Sequence, residues 1–167
     1  MRNKIRIIGV SLAAMAALLL VSGVAWAQAT QEPVWGQVVS TELTDPGEQW
    51  EDDDGFHLRN RKRTHQFTGH IAGELFSVMS LNEDPDTFDV RIHGFFSFVG
   101  EVPGGLVTAT GTQKGKCDRL PDMRLLCEHR RVWHLSDGGM IKTTESWVLG
   151  TFPHDYVGII YDNPGRN

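Results

Sequence analysis

Cysteine is scarce in this chain: Cys117 and Cys127 are the only two in 167 residues. One pair excludes a disulfide-dense scaffold and, without a second pair or a closely spaced histidine couple, falls short of a structural zinc set. Their spacing is not C-x-x-C, which removes the commonest dithiol redox motif. Positive charge is also short, with 16 Lys and Arg against 21 Asp and Glu, and an acidic chain is a poor general binder of nucleic acid. There is no Gly-x-Ser-x-Gly elbow, no phosphate-binding loop and no legible Ser-His-Asp pattern. Beyond the first 27 residues no segment sustains a helical period, which leaves strands as the building material.

What the N-terminus does hold is a three-part secretory signal. Arg2, Lys4 and Arg6 precede an apolar run from Ile7 to Val21, and Ala25-Trp26-Ala27 closes it with small residues around a cleavage point after Ala27. An uncleaved anchor is the alternative, against which small residues interrupt the run and a good cleavage site ends it. Residues 1–27 are therefore expected to be removed, taking three of the 16 positive charges and leaving 13 against 21. The remaining stretch of about 140 residues suits a single domain. It divides into 28–63, with a first strand and a charged loop, and 64–167, the main part of a barrel. The expected location is secreted or periplasmic, with no stable membrane insertion after cleavage. In such a compartment Cys117 and Cys127 are expected to form a structural disulfide, stabilising the fold by roughly 3 kcal/mol through loop closure.

Strand signals fill the rest. In TFDVRIHGFFSFV (87–99) Phe88, Val90, Ile92, Phe96 and Phe98 fall on one face of a half-buried strand. Thr64 to Leu81 reads as one long or kinked strand, joined to it by the turn Asn-Glu-Asp-Pro-Asp at 82–86. Further strands are expected over 106–116, 125–135 and 140–152, the last two joined through Ser136-Asp137-Gly138-Gly139, and shorter ones at 34–41 and 156–161. FTGHIAGELF (67–76) and FVGEVPGGLV (98–107) form a faint repeat whose glycines mark bends, favouring a small antiparallel all-β barrel of about eight strands over a flat sandwich.

FTGHIAGELF, the following IHGFFSFVG and the order of hairpins from Thr64 to Phe152 resemble the bacterial relatives of the allene oxide cyclase and dirigent barrels, a calycin-like group. The resemblance implies an apolar lumen for a small hydrophobic molecule and, in some members, cofactor-free cyclisation or isomerisation of a reactive intermediate. It implies dimers or trimers for some relatives and leaves the oligomeric state of this chain open. No family active site can be carried over residue by residue. The lipocalin Gly-x-Trp is not matched, since Trp35-Gly36 stands in the opposite order.

The candidate ligand-binding residues are Phe88, Ile92, Phe96, Trp133 and Trp147. If Asp137-Gly138 turns a tight hairpin, Leu135 faces Met140, which sets Arg130 opposite Glu145 and His134 opposite Ile141. Glu145, Arg130 and His134 then form the candidate catalytic group if that face is the lumen, and a solvent-exposed ladder if it is not. Seven histidines raise the question of a metal, but His65/His70 and His129/His134 are each five apart and point to opposite faces of a strand, so neither a metal nor a cofactor is expected. Glu51 to Asp54 and Arg59, Arg61, Lys62 and Arg63 read as solvated charges around a connecting loop. The function expected is binding of a small apolar ligand in the lumen; a cofactor-free cyclase or isomerase and a non-catalytic cell-envelope interaction module are the alternatives.

Overall fold

A computed structural model of the chain describes residues 30–162, so the expected leader lies outside the described residues. Nine antiparallel strands account for the described fold: β1 (Gln31–Asp45), β2 (Glu48–Asp52), β3 (Gly55–Gly69), β4 (Ala72–Glu83), β5 (Val90–Val102), β6 (Gly105–Arg119), β7 (Leu125–Leu135), β8 (Met140–Val148) and β9 (His154–Tyr161). Each pairs with its neighbour in sequence from β3 to β9, and β1 pairs with both β9 and β3, which closes the sheet. Strand β2 continues β1 along the same edge of β3 after the break at Pro46-Gly47. The result is an eight-staved antiparallel β-barrel. Among the described residues, closure leaves no full-length edge strand open to pairing with another chain.

Period-two alternation dictates what enters the lumen. On β5 the even residues Val90, Ile92, Phe96 and Phe98 are buried while Arg91, His93, Phe95 and Ser97 are exposed. On β7 the inward set is Cys127, His129, Arg131, Trp133 and Leu135. Phe88 does not share the inner face: it precedes β5, takes a positive φ of 60° and is 42% exposed, with Arg119 over its ring. The positive φ turns the chain out of the strand at that point, so the alternation starts at Val90.

Two further expectations change. The stretch from Thr64 to Leu81 is two strands, because the chain reverses at His70-Ile71 after Gly69, whose φ of 100° disfavours side-chain-bearing residues. The supposed charged loop contains β2 and the first half of β3, so the point between 63 and 64 falls inside a strand. The two halves of the glycine repeat are the β3–β4 and β5–β6 turns, both at one end of the barrel. Their equivalence stops at the leucines, since Leu75 is buried and Leu106 is exposed.

That end is closed. Phe67, Phe96 and Phe98 each meet Trp133 edge-on, at ring-centroid distances of 5.5, 4.8 and 5.3 Å, the geometry that aromatic quadrupoles favour. Trp133 satisfies its indole N–H by donating to Thr143 Oγ1 at 3.0 Å. The Tyr156 hydroxyl accepts from the Ile71 N–H at 2.7 Å and lies 3.1 Å from the Thr68 and Ile71 carbonyls, tying the β3–β4 turn over the plug. Cys117 and Cys127 are direct cross-strand partners on β6 and β7, and their disulfide is present, at the opposite end of the barrel.

Candidate functional site: a polar cavity in the open half of the lumen

Above the aromatic plug the lumen holds a cavity of about 230 Å³. Its apolar wall includes Met79, Leu81, Val90, Ile92, Leu125 and Trp147, and Cys117 of the disulfide contributes to it. The polar lining comes from Thr41, Arg61, Arg63, His65, His129, Arg131, Glu145 and His154. An apolar pocket with a few convergent polar groups is the usual form of a small-molecule site.

The floor is a buried ion pair between Arg131 and Glu145, both 2% exposed. Arg131 Nε also donates to Gln113 Oε1 at 3.2 Å, and its guanidinium lies over the Phe67 ring at 5.6 Å, at the boundary with the plug. Burial pulls the Arg131 pKa down to about 9, which leaves it charged at neutral pH. Glu145 also faces His154 Nε2 at 3.4 Å. His154 stacks on Trp147 with centroids 4.5 Å apart, and Trp147 receives His129 edge-on at 4.7 Å.

The three cavity histidines differ in what holds them. His65 uses both ring nitrogens, Nδ1 toward Thr41 Oγ1 and Nε2 toward Ser77 Oγ, each at 3.1 Å. His154 contacts Glu145 and the Thr151 carbonyl. His129 is 5% exposed and neither ring nitrogen has a hydrogen-bond partner. Its ring lies over Gly115 on β6, where any Cβ would collide with it. Burial is the main force holding His129 well below the ordinary histidine range, with the charge of Arg131 adding to it. The same two causes bring His65 to about 3. Among the described residues, no group of three or more His, Cys, Asp or Glu side chains is placed to hold a metal ion.

The candidate residues from the sequence fall into three sets. Ile92 and Trp147 line the cavity, as does Glu145. Phe96 and Trp133 are inward but belong to the plug. Arg130 and His134 are exposed on the outer wall, paired with Thr144 and Met140. Their displacement has one cause: five residues rather than four separate the last paired positions of β7 and β8. Leu135 donates to the Gly139 carbonyl at 2.9 Å, Asp137 accepts from the Gly139 N–H at 2.9 Å, and the ladder starts at His134 and Met140. A slip of one residue exchanges faces, so His129 rather than Arg130 stands opposite Glu145 and Arg131 enters the lumen.

Arg61 and Arg63 reach the lumen by a second irregularity. The pairing of β3 with β4 shifts by one between Leu58–Leu81 and Arg61–Met79, with Asn60 at φ 55° in the bulge. Leu58 is inward before the bulge, and the odd residues Arg61, Arg63, His65 and Phe67 share the inner face after it. Bulges re-aim side chains in this way. Asn60 within a charged run was the available signal for it.

No family model, curated protein or solved structure matches this chain. Its function must be argued from the cavity itself.

Proposed function

We propose that this protein is an exported member of the calycin-like barrels, akin to the allene oxide cyclase and dirigent group, that binds a small, largely apolar molecule in the open half of its lumen. The observation that carries this reading is the cavity of about 230 Å³ with an apolar wall and a few converging polar groups. The Cys117–Cys127 disulfide supports an oxidising compartment, as the leader does. Among the described residues Trp147 is the one tryptophan in the cavity wall, so ligand entry should quench its fluorescence.

The test is titration with propylbenzene, together with native mass spectrometry of protein purified from its own source to identify any molecule carried along. Replacing Ile92 by Trp fills the cavity and should weaken propylbenzene binding by at least about tenfold, or 1.4 kcal/mol. An unchanged affinity in the folded variant would remove the cavity as the binding site.

One observation favours a catalytic version of the same reading. Glu145 is fixed between Arg131 and His154, beside a neutral His129 with free ring nitrogens. A neutral imidazole on the wall of such a cavity is suited to proton transfer in a cofactor-free isomerisation or cyclisation. Turnover of a bound molecule, lost on His129→Phe while binding persists, separates this from simple carriage.

A further inference from the structure

The cavity's hydrogen-bonding groups are unevenly satisfied. Arg131, His65 and His154 are committed to protein partners. Arg63 is not: its Nε is buried without a partner, and no carboxylate pairs with it among the described residues. Among the described residues Glu145 is the only carboxylate in the lining, and it is engaged by Arg131 and His154. Three arginines against one carboxylate give the lumen a positive excess, inside a chain whose overall balance is acidic. Arg63 is half-buried, and a partly desolvated charge without a counter-charge gains from any anion that supplies one.

The second observation is His129. It is nearly fully buried and its two ring nitrogens are unpartnered. Arg63 and His129 face the same space, since both line the cavity. Arg61 stands two residues from Arg63 on the same face and donates weakly, at 3.4 Å, to the Pro46 carbonyl. Arg63 presents only donors, and a neutral His129 presents one donor. Their common complement is an acceptor carrying negative charge.

We propose that Arg63 and His129 form an oxyanion site in the open half of the lumen, taking the carboxylate or phosphate of a ligand whose apolar body lies against Ile92 and Trp147. The proposal rests on the ligand-binding reading above and adds the ligand's charge to it. Arg63 supplies the charge-assisted hydrogen bonds and His129 a neutral one from the wall, while the low-polarity surroundings strengthen both. The ion pair below would repel an anion through Glu145 and attract it through Arg131, so the net attraction comes from Arg63 and Arg61.

Three probes with the same propylphenyl body test this: 4-propylbenzoate, 4-propylphenyl phosphate and neutral 4-propylbenzamide, titrated calorimetrically into the mature protein at neutral pH. At least one anion should bind about tenfold or more tighter than the amide, and the tighter of the two names carboxylate or phosphate as the head group. Arg63→Gln should bring the anions to within about twofold of the amide, and Arg63→Lys should retain a preference for the anions. Thermal melts establish that both variants fold. If the amide binds as well as the anions, the oxyanion site is wrong and the apolar binding site stands. If none of the three binds to folded protein, both readings fail. If the anions retain their advantage in Arg63→Gln, the site is elsewhere and the proposal is overturned.

Discussion

In the closed half of the barrel, Trp133 is enclosed by Phe67, Phe96 and Phe98 and its one polar atom is paired; two residues earlier on the same strand, Arg131 floors a cavity whose neighbour His129 has no hydrogen-bond partner. Both halves use the same strands and the same alternation. Each also uses a glycine of β6 to admit a ring: Gly111 takes Phe96 in the closed half and Gly115 takes His129 in the open half. The backbone device is therefore identical, and the difference lies in which rings the device admits. A hydrocarbon ring over Gly111 completes a dry plug, whereas an imidazole over Gly115 leaves two polar atoms facing a space that protein does not fill. Natural cores pair nearly all buried polar groups, so the contrast separates a scaffold half from the half that holds the candidate site.

The largest expected effect tests the scaffold half. Trp133→Ala removes the centre of the plug and leaves Thr143 without its donor, at a cost of about 5 kcal/mol from cavity and unpaired hydroxyl together. Urea denaturation measures it, and a loss under about 2 kcal/mol would mean that the plug is not the structural centre. Next comes the boundary. Glu145→Gln leaves Arg131 charged and buried beside an amide, which still accepts a hydrogen bond but carries no charge, so about 3 kcal/mol is expected. The same melts read it, and a change below about 1 kcal/mol would place the pair in contact with water.

The sequence showed the plug more clearly than the cavity, for a physical reason. Phe96, Phe98 and Trp133 sit in uninterrupted alternating runs, where a hydrophobic face announces itself. The cavity depends on two departures from regular counting, the five-residue turn after His134 and the bulge at Asn60. Each moves a charged residue from the expected outer face to the inner one, and neither leaves a hydrophobic trace, because the residues moved are arginines. Arg61 and Arg63 thus read as part of a solvated loop. His129 and His134 do lie on opposite faces, as their spacing implies; His154 and His65 reach His129 only through barrel closure, which brings β3, β7 and β9 around one space. Long-range convergence of this kind has no local signature.

The smallest expected effect at neutral pH is also the one that distinguishes the halves most directly. His129→Phe keeps a flat ring over Gly115 and against Trp147 while removing two buried nitrogens that bond to nothing, so stability at pH 7 should change by less than about 1 kcal/mol. The effect should grow with acid. Unfolded, an imidazole takes up its proton near pH ~6.5. Folded, His129 resists protonation to well below that, because it is desolvated and faces Arg131, His65, His154 and Arg63; His65 behaves alike, down to about 3. Between these limits the unfolded chain binds more protons, so stability is fully present above pH ~6.5 and falls as the pH drops, by about 1.4 kcal/mol per unit for each such histidine. Removing His129 should therefore flatten the acid slope between pH 6.5 and 4.5 by roughly that amount, leaving the contribution of His65 in place. Urea melts of both proteins at pH 7.0, 5.5 and 4.5 give the comparison. A loss above about 2 kcal/mol at pH 7 would show that the ring nitrogens have a structural partner, and an unaltered slope would show that His129 is protonated inside the fold; either result would take from the open half the feature that separates it from the closed one.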